Sequence, residues 1–267
     1  MTAPRSILIS GAARGIGRAT AELFLVRGWR VGMYDVDPVA VAEAAAGRES
    51  VVHGTLDVRD AAQWRTALTE FCGDGGLDVL VNNAGVLSSG PFTETDLDSH
   101  RRMVDVNVTG VVNGAAEGHP YLLRSPRGLL LNLCSASALY GQPTLATYGA
   151  TYGATKAAVK SLTEALDIEW RRDGVRGQAV RVRSLLPLFV ATEMVSRDGV
   201  RAASVASLGV RLTADDVARA AWRVVHERRR VLRSPHRPVG RQTKALAALS
   251  AVTPDWANRL VVSRLVR

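Results

Sequence analysis

Apolar residues along this chain fall into short, partly β-branched runs separated by longer stretches with helical spacing. The runs are Ser6 to Ser10, Arg30 to Tyr34, Ser50 to Thr55, Val79 to Asn82, Leu129 to Cys134 and Arg181 to Leu186, with a weaker one at Arg230 to Leu232. Between them lie patterns that repeat every three or four residues, as in Ala61 to Cys72 and Ala157 to Arg172. Strand and helix in alternation predict a parallel sheet covered on both faces, and the near-continuous apolar run LLLNL fits a strand buried on both sides. The expected fold class is therefore α/β: a single doubly wound domain, with a central parallel sheet of about seven strands and helices on both faces. In such sheets ligands gather beyond the carboxyl ends of the strands. The loop after Ser10, Asp35, Asp57, Asn83, Ser135 and Pro187 all follow strands directly and so converge on one edge.

The first of these junctions carries chemistry. SILIS leads into GAARGIG and then a helix-like stretch, the strand, glycine turn and helix order that a dinucleotide-binding loop needs. Gly11 makes the tight turn, Gly15 lets backbone approach a pyrophosphate, and Gly17 permits close helix packing, with the helix N-terminus facing the phosphates. A fold of the Rossmann type follows. Asp35, at the end of the second strand, stands where an acid grips an adenosine ribose, and a 2′-phosphate would be repelled there, so NAD is expected over NADP. Arg14 in the glycine loop pulls the other way.

Tyr152 and Lys156 lie at i and i+4, one turn apart on one helix face. A free phenol titrates near ~10, and lowering it by roughly 2 to 3 units takes about 3 to 4 kcal/mol. One cation about 4 Å away, at an effective dielectric near ~20, supplies about 4 kcal/mol, so a single lysine suffices. By itself the pair is also compatible with a solvated helix face; its neighbours decide.

With these residues assembled, the chain resembles the short-chain dehydrogenase/reductase family in its commonest branch. The glycine pattern is Gly11-x-x-x-Gly15-x-Gly17, preceded by Ser10 where Thr is usual; Asn82-Asn83-Ala84-Gly85 matches the family's NNAG; Asn107, in DVNVTG, matches a helix asparagine. Ser135 matches the serine after the fifth strand, Tyr152 and Lys156 complete the set, and Thr192 follows Pro187 as a nicotinamide-contacting threonine does. The match runs in order from about residue 5 to about residue 235. The resemblance implies reversible hydride transfer between a nicotinamide and a secondary alcohol or ketone. Tyr152 would be the general acid/base, Ser135 would hold the substrate oxygen, Lys156 would bind the nicotinamide ribose, and Asn107 would hold a proton-relaying water. It also implies a cofactor site made of Gly11, Arg14, Gly15, Ile16, Gly17, Asp35, Asp57, Val58, Asn83, Ala84, Gly85, Tyr152, Lys156, Pro187, Val190 and Thr192. Members commonly pair through the helices carrying Asn107 and Tyr152, so a homo-oligomer, tetramer or dimer, is expected.

Three places depart from the family pattern. Tyr148 to Thr151 is repeated immediately as Tyr152 to Thr155, which sets Tyr152 one unit further from Ser135 than is usual. Only Tyr152 has a lysine at i+4, so it is the expected acid/base, with the extra turn placed in the preceding loop or helix start and Ser137 as an alternative to Ser135. The pair Val175-Arg176 recurs at Val180-Arg181, lengthening the connection into the sixth strand, and Leu188 stands where the family usually has Gly. Glu193 to Gly209 is the expected lid, with a helix opening at Thr213.

Composition narrows the remaining choices. A chain of 267 residues with 47% hydrophobic content can bury a sizeable core. No apolar run is long enough to span a bilayer, MTAPRS leads straight into the first strand, and Cys72 and Cys134 lack metal-ligand spacing, so no signal peptide, no metal and a cytoplasmic location are expected. Residues 211 to 267 hold 13 Lys or Arg against 4 Asp or Glu, whereas residues 1 to 210 hold 21 of each; the net +9 sits in the tail. No nucleic-acid-reading motif accompanies it, so the tail is read chiefly as solvated surface, with an acidic carrier or a membrane surface as lesser partners. Two units are expected: residues 1–238 as the dehydrogenase domain, and residues 239–267 as a basic amphipathic extension packed on that domain or on a neighbouring subunit. Beside the alcohol dehydrogenase reading stand a carrier-linked 3-oxoacyl reductase and a cofactor-binding scaffold disabled by the repeated YGAT turn.

Overall fold

The computed structural model describes residues 4–88, 91–141, 150–172, 179–192, 209, 211–227, 234–254 and 256. Strands and helices alternate from the start: β1 (Ser6–Ser10), α1 (Gly15–Val26), β2 (Arg30–Asp35), α2 (Pro38–Ala45), β3 (Val51–Thr55), α3 (Ala61–Cys72), β4 (Val79–Asn82) and α4 (Leu97–Val104). A π-helical turn, Asp105–Thr109, joins α4 to α5 (Gly110–Arg124). There follow β5 (Leu129–Leu133), a 3-10 turn (Ala136–Ala138), α6 (Ala150–Arg172), β6 (Arg181–Pro187), β7 (Val190–Ala191), β8 (Leu212–Thr213), α7 (Ala214–Val225), β9 (His236–Val239) and α8 (Arg241–Val252). Side-chain caps fix several helix starts, as where Asp37 accepts from the Ala40 N–H and where Thr213 and Asp216 form a reciprocal capping box on α7.

Among the described residues the central sheet has seven parallel strands in the order β3-β2-β1-β4-β5-β6-β9. Because side chains alternate along a strand, β1 sends Ile7 and Ile9 to one face and Leu8 to the other. The first face packs on α1, α2 and α7 through Phe24, Val41 and Val224, and the second on α3, α5 and α6 through Trp64, Leu122 and Trp170. Both faces being covered is why these strands read as apolar runs rather than alternating ones. The order reverses at β1 and β4, and the loops after those two strands open a crevice there.

One expected strand cannot be placed, and one strand was not expected. Arg230 to Leu232 lie outside the described residues, and the strand that completes the sheet is His236–Val239, reading HRPV. It escaped the pattern because only one of its residues is fully buried and Pro238 interrupts it, which an edge strand tolerates. Polar contacts hold it: His236 Nδ1 lies 2.7 Å from Ser184 Oγ on β6, and Nε2 lies 2.7 Å from Glu164 Oε1 on α6. This strand crosses the expected unit boundary between residues 238 and 239. Tyr148, the repeat at Val175-Arg176 and all but the last residue of the expected lid also lie outside the described residues.

Candidate active site

The loops at the carboxyl ends of the strands surround a cleft of about 790 Å³. Its floor is the glycine loop. Gly11 has φ +66°, a left-handed conformation, and a Cβ built on it would stand 2.8 Å from Ala84 Cα. Gly17 is tighter still, since its Cβ would meet the Gly11 carbonyl oxygen at 2.1 Å. Ser10 and Asn83 lock this loop to the end of β4. Ser10 Oγ accepts from the N–H groups of Asn83 and Ala84, each at 3.2 Å, and Asn83 Nδ2 donates to the carbonyls of Ser10 and Gly11 at 2.9 and 2.8 Å.

At the same end the Asp35 carboxylate accepts from the Ala13 N–H at 3.0 Å and the Asp37 N–H at 3.2 Å. Arg14 turns away to Asp37, with Nη2 2.7 Å from Oδ2, both side chains remaining substantially exposed. Asp57 receives a bidentate fork from Arg59, which, with the nearby Arg102 guanidinium as a lesser influence, holds its carboxyl below the usual carboxylate range. Arg59 and Arg102 line the cleft and escaped the sequence reading, since nothing in their spacing marks them.

Tyr152 and Lys156 sit in the first two turns of α6, both buried. Lys156 Nζ lies 5.5 Å from the Tyr152 ring centroid and donates to the Leu133 carbonyl at 3.0 Å. Burial pushes the ammonium below the ordinary lysine value, with the Cys134 thiol opposing. Ser135 caps the 3-10 turn: its Oγ accepts from the Ser137 N–H at 3.1 Å and donates to Ser137 Oγ at 3.0 Å. That turn faces the start of α6, where a Cβ on Gly153 would stand 3.5 Å from the Ser137 carbonyl oxygen.

Asn107, in the π turn, is fully buried and its amide is occupied. Oδ1 accepts from the Val86 N–H at 2.8 Å, while Nδ2 donates to the Val86 carbonyl at 2.9 Å and to Thr155 Oγ1 at 3.2 Å. Between it and Lys156 lies Gly85, whose Cβ would meet Asn107 Oδ1 at 3.2 Å and Lys156 Nζ at 3.7 Å. The cleft is lined by all the expected site residues except Gly17 and Asn107, which lie just behind it. Thr192 closes it from the far side, its Cγ2 3.4 Å from a Cβ built on Gly15.

Two supports were not anticipated. A buried polar ladder runs from β4 to α6: Asn82 Nδ2 donates to Asn132 Oδ1 at 3.0 Å, and Asn132 Nδ2 donates to Thr163 Oγ1 at 3.0 Å. Thr151, inside the repeated segment, stands 2.8 Å from His100 Nδ1 on α4, whose Nε2 lies 3.1 Å from the Phe92 carbonyl. A carbonyl only accepts, so Nε2 carries a proton, and a neutral ring then accepts from the Thr151 hydroxyl.

The residues fit a dinucleotide: a bare-backbone cradle, a carboxylate pinned open to the cleft, and a buried ammonium. Among the described residues no group of three His, Cys, Asp or Glu could hold a metal, and no helix is long and apolar enough to cross a membrane.

Comparison with known proteins agrees with this geometry. The short chain dehydrogenase family model matches residues 5–201. The chain is 36% identical over 195 residues to a meso-2,3-butanediol dehydrogenase of Serratia marcescens, covering 71% of this chain and 73% of that one. It is 37% identical over 194 residues to a 3-alpha-(or 20-beta)-hydroxysteroid dehydrogenase of Mycobacterium tuberculosis, covering 70% and 69%. A short chain dehydrogenase/reductase from Burkholderia phymatum, solved in complex with NAD, superposes with a TM-score of 0.76 at 29% identity, covering 92% of each chain. The chain belongs to the short chain dehydrogenase family.

Proposed function

We propose that this protein is an NAD-preferring dehydrogenase that interconverts a secondary alcohol and its ketone. The observation that carries the reading is the placing of Tyr152 and Lys156 one helical turn apart beside Ser135, at the end of a cleft floored by the glycine loop. When bound, the nicotinamide supplies the hydride acceptor or donor. Tyr152 takes the proton from the alcohol oxygen or gives it to the ketone oxygen, and Ser135 Oγ holds that oxygen by hydrogen bond. Lys156 holds the cofactor ribose and favours the ionised phenol. Asn107 keeps Val86 and Thr155 in place; with its amide so engaged, a relayed water there would have to hang on its backbone carbonyl.

NAD is favoured because Asp35 is fixed by two backbone N–H groups with its charge toward the cleft, while Arg14, the residue that would answer a 2′-phosphate, is turned to Asp37. Against a disabled scaffold stands the intact Tyr152–Lys156 spacing despite the repeat. Against carrier docking stand the tail arginines that already have partners, Arg219 on Asp216 and Arg237 on Glu227. An oligomer formed through the helices around Asn107 and Tyr152 would cover Val104, Val112 and Ile168, which are 44%, 44% and 57% exposed. Light scattering is expected to give a multiple of 28.6 kDa.

The test is cofactor-dependent oxidation of a panel of secondary alcohols with NAD and NADP in parallel. Turnover with a larger kcat/KM for NAD is expected. An NADP advantage would overturn the preference, and no turnover with either cofactor would overturn the activity.

A further inference from the structure

The two ends of the cleft differ in chemistry, and the difference identifies what the protein acts on. Arg14, Asp35, Asp57 and Arg59 all stand at the glycine-loop end, and Arg102 faces Asp57 there. At the Tyr152 end the lining is Val86, Leu87 and Leu188, and the only charged side chain lining it among the described residues is Lys156, already donating to the Leu133 carbonyl. Behind this lining lies a packed apolar cluster of Met103, Leu139, Phe189 and Leu246 around the Tyr152 ring. Leu246 comes from α8, beyond the core alternation of strands and helices. Its carbonyl accepts from the Tyr140 hydroxyl at 2.8 Å, which ties α8 to the segment that follows Ser135.

We propose that the substrate is an uncharged secondary alcohol or ketone with a bulky apolar body, alicyclic in the best case, and that Leu188, backed by Leu246, sets this preference. The proposal rests on the reading of Tyr152 as the acid/base at this site. Among the described residues the Tyr152 end offers a substrate carboxylate or ammonium no counter-ion but the already engaged Lys156 to offset the water it would lose. A methylene moved from water onto such a wall strengthens binding by about fourfold, so a body of several ring carbons outcompetes a diol of the same reacting group. The hydroxyl of Ser135 and the phenol of Tyr152 remain as the polar anchors, enough to orient one oxygen and no more.

The experiment compares kcat/KM for 1-decalol, 2,3-butanediol and L-serine with NAD-saturated protein, and measures 1-decalone binding to the NADH complex by calorimetry. 1-Decalol is expected to exceed both others by at least about tenfold, the gain of two or more buried methylenes. Leu188→Ala should raise KM for 1-decalol by roughly 3- to 10-fold and Leu246→Ala, which loosens the wall from behind, by about twofold to fivefold, each by more than it raises the KM for butanediol. Should Leu246→Ala not fold, Tyr140→Phe, which frees the α8 carbonyl, should raise the same KM by about twofold to threefold. A preference for butanediol or serine, or equal losses on every substrate, overturns the proposal and leaves the dehydrogenase reading intact. Decalone binding that weakens in Leu246→Ala, without turnover of any alcohol, overturns the dehydrogenase reading and with it the substrate assignment, keeping only an apolar binding site. Neither binding nor turnover overturns both.

Discussion

The glycine-loop end and the Tyr152 end of the cleft are built by opposite means. The first uses backbone: left-handed Gly11, a Gly17 pressed to 2.1 Å of a carbonyl by the measure of its missing Cβ, and side chains such as Ser10, Asn83 and Asp35 bonded to main-chain groups nearby. The second uses side chains brought from distant parts of the chain: Lys156 on α6, Asn107 in the π turn, Leu188 after β6 and Leu246 on α8. Backbone cradles recognise what every dinucleotide shares, whereas side-chain walls can be changed one residue at a time. On the proposed reading, one end carries the cofactor and the other the choice of substrate.

The largest effect is expected at the Tyr152 end. Tyr152→Phe should lower turnover by a factor of roughly 10² to 10⁴, the usual worth of a positioned proton donor, with NAD binding nearly intact. Tyr148→Phe should be close to silent; if single-turnover measurements show the reverse, the helix register assigned to Tyr152 is wrong. Deleting Tyr148 to Thr151 brings Thr147 next to Tyr152 in the place of Thr151, so the contact with His100 is retained and activity should hold or rise.

At the other end, Gly17→Ala should cost about 1 to 3 kcal/mol of stability, because the obstacle is backbone that cannot rotate away. Its NAD Kd should rise while Tyr152 chemistry per bound cofactor stays unchanged; thermal unfolding and NAD titration together check this, and a normal Kd would mean that the loop yields. Asp35→Ala is milder. It should narrow the NAD over NADP ratio of kcat/KM by about tenfold, equivalent to about 1.4 kcal/mol, and an unchanged ratio would remove Asp35 from cofactor choice.

The smallest expected effect tests whether the extra turn is anchored. His100→Ala removes one hydrogen bond to Thr151 and one to the Phe92 carbonyl, each worth about 0.5 to 1.5 kcal/mol. A roughly 3- to 10-fold fall in kcat, partly rescued by His100→Gln and absent when made on Thr151→Val, is the signature of a positioning contact. Equal losses in both backgrounds would show that His100 acts elsewhere.

What the sequence made legible follows the same division. Buried strands announce themselves as apolar runs, and the glycine loop, Asp35 and the Tyr152–Lys156 pair are local patterns readable without knowing the fold. The Asn82–Asn132–Thr163 ladder, the His100–Thr151 contact and the seating of Leu246 on the Tyr152 cluster depend on which distant segments meet, so no local spacing encodes them. The strand His236–Val239 was missed for a related reason. His236–Val239 is held by side-chain polar contacts and parallel pairing to β6 rather than by apolar burial, and pattern reading is blind to that.

That polar strand also bears on how the chain is made. Residues 181–187 form the buried β6, and among the described residues its outer row of N–H and C=O groups is paired by residues 235–239. During synthesis β6 leaves the ribosome well before its partner, so for that interval the growing sheet ends in an open edge able to template pairing with another nascent chain. Docking of β9 through His236 closes the edge, and Pro238 then leaves the new outer rim with a gap in its donors. A chain interrupted before residue 236 would contain every described residue that lines the cleft and still be the form most prone to aggregate.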